Sequence, residues 1–265
     1  MRVTLIIPTL NEAASVGHVL RAFQSAAEEA NRTIFQGRQV DWEVLVVDGA
    51  STDGTAEIAR NAGARVIVER RKGYGRAYQT GFAAAEGEVI ATADGDATYP
   101  VEMIPGLVKK LLDESLDFIT GNRMAYLNRS AMTTEHRIGN RVLNLFLGVA
   151  FHRYVKTVPG GELADSQSGF WIFRREILNR VHLGEDGMAF SEELKIEVIL
   201  RGLRIVEVPI SYGERWGPPK LSSWRDGYGN LVFLARKRLD VAQEAARGRP
   251  APFAHRPAEA PPPPP

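Results

Sequence analysis

Two carboxylates one residue apart, Asp94 and Asp96, lie in the run Thr92-Ala93-Asp94-Gly95-Asp96-Ala97-Thr98-Tyr99-Pro100. The apolar residues just before it, Val89-Ile90-Ala91, read as a buried strand, and Pro100 and Glu102 suit the first turn of a helix. The pair therefore stands at the carboxyl end of a strand, the edge where open α/β sheets bind ligands. Close carboxylates repel unless a cation lies between or beside them. Mg²⁺ or Mn²⁺ would serve, with substrate phosphates completing its shell. Taken alone, Asp-Gly-Asp could equally be a solvated turn.

Two further strand ends carry acids. Glu12 follows the run Val3 to Ile7 and Pro8, and Asp48 and Asp53 follow Glu43 to Val47. In a doubly wound sheet these loops converge at the switch point. Several carboxylates, no cysteine and no obvious serine–histidine pair suit a metal-bound nucleotide diphosphate. The first two acidic segments would read ribose and base, and the third would hold the metal. Gly73 and Gly75, before a helix, could approach a phosphate, and Lys72 could pair with one. They form neither a dinucleotide fingerprint nor a Walker motif.

The elements that must position these groups alternate. Strands are expected at 3–7, 43–47, 65–68, 88–91 and 118–120. Helices are expected up to about 30, up to 61, over 74–85 and over 101–112, with Asn11 or Thr9 and then Ser51, Thr52 or Asp53 as caps. This order implies a mostly parallel sheet flanked by helices. After residue 123 the pattern changes. An apolar helix over 137–151 reads either as core or as a helix in a membrane interface. A helix capped by Ser191 runs to Leu200, and an edge strand runs from Arg204 to Pro209, which ends it. An exposed helix follows over 226–246. We expect one domain over 1–246, with a nucleotide-binding half (1–123) and an acceptor half (124–246), then a disordered Ala/Pro-rich tail over 247–265.

The 265 residues are 44% hydrophobic and 25% charged, with a net charge of +1, so no bulk field favours nucleic acid. Without cysteine, disulfides and thiolate chemistry are excluded. The apolar start, broken by Pro8, is too short for a signal peptide, and no apolar run approaches ~20 residues. This points to a cytoplasmic protein, with peripheral contact on the cytoplasmic membrane face if the 137–151 helix is interfacial. Oligomeric state is not readable.

The segments Ile7-Pro8-Thr9-Leu10-Asn11-Glu12, Val46 to Thr55, Lys72 to Gly75 and the Asp-Gly-Asp turn, in this order, resemble an inverting family 2 glycosyltransferase of the GT-A fold. Asp165 to Phe170, and Val208-Pro209-Ile210 followed by Tyr212, Arg215 and Lys220-Leu221-Ser222, resemble its dolichol-phosphate mannose synthase-like branch. The likeness covers residues 1–235. It departs where Asp48-Gly49 replaces an acidic pair, and in lacking the membrane helices that some relatives carry.

The resemblance implies roles. Pro8, Leu10, Glu12, Val46 and Asp48 would hold the nucleoside, of a UDP- or GDP-sugar. Asp94 and Asp96, with Gly95 between them, would hold metal and pyrophosphate, with Thr98 as a further ligand. Lys72, Arg123, Arg215 and Lys220 would neutralise donor or acceptor phosphates. Asp96 and Arg215 would be catalytic, as would Asp165, which would orient the acceptor or act as base. Glu192, Glu193 and His136 are further candidates. The implied activity is metal-dependent sugar transfer to a polyprenyl phosphate. A soluble hydroxyl acceptor and a non-catalytic nucleotide-sugar binding module are the alternatives. A nucleotidyltransferase is disfavoured, because Pro8 to Glu12 is not its glycine- and basic-rich loop.

Overall fold

The computed structural model describes residues 1–126, 134–156, 163–217 and 223–246, with backbone alone at 134–138, 223–226, 228, 244 and 245. The expected tail, Lys220 and the side chain of His136 lie outside the described residues.

Seven strands form one sheet: β1 (Arg2–Thr9), β2 (Asp41–Asp48), β3 (Arg65–Val68), β4 (Val89–Thr92), β5 (Phe118–Tyr126), β6 (Trp171–Arg174) and β7 (Ile205–Ser211). Their spatial order is β3-β2-β1-β4-β6-β5-β7. All run parallel except β6, which is antiparallel to both β4 and β5. The helices are α1 (Val16–Thr33), α2 (Thr55–Asn61), α3 (Tyr74–Ala84), α4 (Ile104–Asp113), α5 (Thr134–Ala150), α6 (His152–Val155), α7 (Phe190–Leu200) and α8 (Ser223–Ala246). The central strands are apolar on both faces because both faces are covered. Val3, Leu5 and Ile7 pack toward α1 and α4. Ile6, Leu45 and Val47 pack toward α3, with α5, α7 and α8 closing the same core.

The mostly parallel α/β sheet is as expected, and several local readings are corrected. Neither Thr9 nor Asn11 caps α1, whose N-cap is Ser15. Asn11 instead takes a left-handed conformation (φ 53°), and its side-chain oxygen accepts from the Thr52 N–H. The N-cap of α2 is Gly54 rather than Ser51, Thr52 or Asp53. Helix α7 begins at Phe190 without a side-chain cap, and the Ser191 hydroxyl is buried inside it. Pro209 does not end its strand but sits within β7, an edge strand where its missing N–H is harmless. Helix α8 is not exposed throughout, since Phe233, Leu234 and Val241 enter the core.

Helix α5 bears out the core reading on one side and leaves apolar side chains exposed on the other. Leu143 and Leu147, with Phe151 just beyond, are buried and the helix packs on α8. On its other side Val142, Leu145, Phe146 and Val149 are 48%, 69%, 38% and 71% exposed. Their spacing makes one apolar stripe. Among the described residues no helix is long and apolar enough to cross a membrane.

Candidate active site

The carboxyl ends of β2, β1 and β4 are neighbours, so the three acidic loops meet as the topology requires. Thr9, the last residue of β1, pairs in register with Asp48, and its hydroxyl donates to the Asp48 carboxylate at 3.0 Å. Ser51 completes the shell of Asp48 through its N–H (2.8 Å) and hydroxyl (2.6 Å). The two loops are stitched by the Asn11 N–H to Ser51 Oγ, the Glu12 N–H to Thr55 Oγ1 and the Ala13 N–H to Asp53 Oδ2. Asp53 thus fastens one loop to the other. The loop after β4 is drawn in by the Ser15 hydroxyl, which donates to the Gly95 carbonyl at 2.7 Å. A Cβ on Gly95 would stand 2.8 Å from Thr9 Cγ2, so only glycine lets the two loops approach this closely.

Asp96 is buried and its oxygens are divided. Oδ1 accepts from the N–H (3.1 Å) and hydroxyl (2.7 Å) of Thr98. Oδ2 receives the Arg215 guanidinium at 2.7 Å from Nε and 2.6 Å from the terminal nitrogen. Thr98 therefore serves Asp96 as a donor. Asp94 is half-buried, and no hydrogen bond or ion pair to it is seen among the described residues. Burial and the neighbouring Asp96 push its carboxyl up to about 7, Glu12 adds to this, and Arg215 and Arg123 oppose it. A carboxyl with no direct partner, one residue from a second carboxylate, offers two oxygen donors to a hard divalent ion whose other positions substrate oxygens would fill, since among the described residues no cluster of three or more ligating side chains forms. Asp94 and Asp96 would hold it, with the Thr98 hydroxyl at hand.

Arg215 arrives on the segment after β7. That segment closes over the turn through the Gly213 N–H to the Thr98 carbonyl and the Trp216 N–H to the Asp96 carbonyl. Trp216 stacks on His18 of α1, with ring centroids 4.9 Å apart.

The acceptor side is built around Asp165, which is fully buried. Arg123 grips it with Nε to Oδ2 (2.7 Å), a terminal nitrogen to Oδ1 (2.8 Å) and its own backbone N–H (3.0 Å), and Asn140 of α5 adds a bond at 3.0 Å. Burial would raise this carboxyl, but the Arg123 charge outweighs it and holds Asp165 below the usual carboxylate range. Asp165 is thus placed to orient Arg123, and the expectation of a catalytic base fails because both oxygens are occupied and the Arg123 charge leaves the carboxylate too weak a proton acceptor. Arg123 also lies over the Tyr212 ring at 5.4 Å.

Other expected residues separate. Val46 is corrected: it is fully buried in the core beneath α1 and does not line the site. Pro8 is partly exposed at the end of β1, Leu10 is exposed and Glu12 is buried. Lys72 is exposed, with no ion pair among the described residues. Gly73 and Gly75 do not cradle a phosphate: a Cβ on either would run into the backbone carbonyl of Asp186 or Glu185. The Gly75 and Arg76 N–H groups donate to the carbonyls of Gly187 and Asp186, so a loop of the chain itself fills the start of α3. Glu193 is likewise committed, accepting from the Gly184 and Glu185 N–H groups. Glu192 is fully buried, one of its oxygens lacks a partner, and burial pushes it up to about 8 against the pull of Lys195.

Sequence reasoning missed Lys195, Glu207, Asn140, Asn144, Asn230 and the tyrosines Tyr74 and Tyr99. Glu207 accepts from the Ala164 and Asp165 N–H groups, and the Tyr99 hydroxyl accepts from the Gly169 N–H. The available signal was a helix of eleven residues, all buried, that carries three acids and a lysine.

Residues 4–181 match the family described as Glycosyl transferase family 2. The chain is 34% identical over 223 residues to a dolichyl-phosphate hexose transferase of Haloferax volcanii, covering 84% of this chain and 88% of that protein. It is 32% identical over 233 residues to the low-salt glycan biosynthesis hexosyltransferase Agl6 of the same organism, and spans about half (52%) of the length of that relative. The fold is that of glucosyl-3-phosphoglycerate synthase from Mycobacterium tuberculosis, solved with Mn²⁺, UDP and glucosyl-3-phosphoglycerate, at TM-score 0.64 and 23% identity over 94% of this chain and 81% of that one. With its acidic strand ends gathered on a GT-A sheet and its sequence similar to a dolichyl-phosphate hexose transferase, the chain belongs to glycosyltransferase family 2 and is a glycosyltransferase.

Proposed function

We propose that the chain transfers a sugar, with inversion, from a nucleotide diphosphate sugar to a polyprenyl phosphate of the dolichyl kind. The observation that carries this reading is the meeting of Asp48, Asp94 and Asp96 at one sheet edge with the charges of Arg215 and Arg123 acting on Asp94. Residues 1–123 mainly serve the donor and residues 124–246 the acceptor, with Arg123 and Arg215 each reaching across that division. Asp48, Pro8, Leu10 and Glu12 hold the nucleoside. The Mycobacterium protein of like fold was solved with UDP and Mn²⁺, which makes UDP the first donor to test and GDP the second.

The bond from the anomeric carbon to the diphosphate oxygen breaks as an acceptor phosphate oxygen bonds to that carbon from the opposite face. The electron pair leaves with the nucleoside diphosphate. A phosphate acceptor is ionised at neutral pH and needs no base, in keeping with an Asp165 that cannot act as one. Asp94 and Asp96 would hold Mg²⁺ or Mn²⁺, which would supply electrostatic stabilisation of the leaving diphosphate. Arg215 meets that charge from the closing segment, and Arg123, held rigid by Asp165, takes the acceptor phosphate. The apolar stripe of α5 supports peripheral contact with the membrane that carries such a lipid.

The test is transfer of radiolabel from UDP- or GDP-sugars to polyprenyl phosphate in vesicles with Mn²⁺, read in the organic phase. Label confined to water-soluble products, or none transferred at all, overturns the lipid reading. Flotation with vesicles that weakens in the Leu145→Glu/Val149→Glu protein locates the contact on α5.

A further inference from the structure

Helix α7 buries a lysine that the chemistry above does not use. Lys195 is fully buried, and its ammonium donates to three backbone carbonyls: Asp165 at 3.0 Å, Ser166 at 2.9 Å and Ser168 at 2.9 Å. An ammonium has three protons, and all three are spent on a single turn. The turn is the one that presents Asp165 to Arg123. Other elements hold the same turn by its remaining groups. Glu207 of β7 takes the Asp165 N–H, Asn144 of α5 takes the Ser166 N–H, Asn230 of α8 donates to Gln167, and Trp171 donates to the Ser168 carbonyl.

We infer that Lys195 is a positioning residue for sugar transfer: it gathers the carbonyls of residues 165, 166 and 168 and so fixes the Asp165 carboxylate that aims Arg123. Three carbonyls facing inward at one point would repel one another without a cation among them. An apolar side chain of similar length would fill the same space with a smaller desolvation penalty, so the ammonium is there for what it holds. The inference rests on the proposed role of Arg123 at the acceptor phosphate.

The charged groups around the ammonium come from every neighbouring element: Asp165 on the turn, Arg123 on β5, Glu207 on β7 and Glu192 on α7. Burial lowers Lys195 to about 8 against the opposing pull of Asp165. Above that pH the neutral amine has two protons for three carbonyls, and the turn loosens.

The experiment compares wild type, Lys195→Met, Arg123→Gln and the double variant. Lys195→Met is expected to melt cooperatively and to bind Mn²⁺ with UDP or GDP as wild type does. Its kcat/KM for the acceptor should fall about 100-fold, the scale of a misplaced positioning group. In the Arg123→Gln background the same change should add little, because Lys195 acts through Arg123. An acceptor KM equal to wild type, or an effect that adds in full to Arg123→Gln, overturns the inference. Should Lys195→Met fail to fold, the wild-type pH profile decides. Acceptor KM should climb above about pH 8 while nucleotide affinity stays level, and a flat KM to pH 9.5 refutes the role. Hydrogen exchange gives a readout independent of turnover: wild type should lose protection at 163–169 above about pH 8 and keep it at the ends of β1, β2 and β4. If wild type transfers no sugar, the proposed function falls, while unchanged exchange at the turn sinks the role of Lys195 separately.

Discussion

The two sides of the site use charge in opposite ways. On the β1–β2–β4 side, Thr9 and Ser51 hold Asp48, Thr98 and Arg215 share Asp96, and Asp94 has no direct partner among the described residues, feeling Arg215 and Arg123 only at a distance. On the β5–β6–β7 side, charge is met internally: Arg123 pairs with Asp165, and three backbone carbonyls solvate the Lys195 ammonium. The first side is poised to receive a cation and the second is already closed. The lesson is that one cleft can combine a receptive rim with a rigid backstop, since the former needs unsatisfied charge and the latter needs none.

The sharpest way to break this contrast is Asp165→Asn. It leaves the buried Arg123 without its partner, and removing one member of such a pair costs about 3–5 kcal/mol. A melting curve should therefore shift down by many degrees. Asp96→Ala should show the reverse, with turnover down about 100- to 1,000-fold and little change in melting. Its partner Arg215 is partly exposed and returns to water. If Asp96→Ala unfolds the protein and Asp165→Asn leaves it stable, the two sides have been assigned the wrong way round.

Gly75→Ala sharpens the boundary between the sides. The new methyl would meet the Glu185 carbonyl and Phe190, so melting should fall by about 1–3 kcal/mol, as for an overpacked core. Nucleotide affinity of the folded fraction should persist. A selective loss of nucleotide binding would restore the phosphate-cradle reading of this segment.

The smallest effect concerns pH. Glu192 has an ordinary value of 4.5 and is raised to about 8 in the fold. Between those values the unfolded chain has given up a proton that the folded chain keeps. Its contribution to stability is therefore full below about 4.5 and is lost as pH rises toward 8. Glu192→Gln should flatten the fall in melting temperature between pH 5 and 8. An unchanged slope would show that Glu192 is ionised in place.

The receptive side was legible in the sequence because its chemistry is local. Asp94 and Asp96 are neighbours in the chain, and strand order alone brings Asp48 to them. On the backstop, Arg123, Asp165 and Arg215 were named only through the family resemblance and their pairing was not foreseen, because the bonds span long separations: 42 residues from Arg123 to Asp165 and 119 from Arg215 to Asp96. Lys195 binds backbone carbonyls, which every residue has, so no pairing of residue types betrays it. The same limit misled the reading of Gly73 and Gly75. Two glycines before a helix announce a close approach, but not whether the visitor is a phosphate or the carbonyls of Glu185 and Asp186.

The reversed direction of β6 has its own consequence. A parallel strand hands whatever follows it to the catalytic rim, whereas β6 hands over what precedes it. Leu163 to Phe170 therefore arrives at the rim, and Arg174 onward departs toward the opposite end of the sheet. Anyone grafting a new acceptor loop onto this scaffold should splice it ahead of Trp171; the same insert placed after Arg174 would emerge on the far side and leave catalysis untouched.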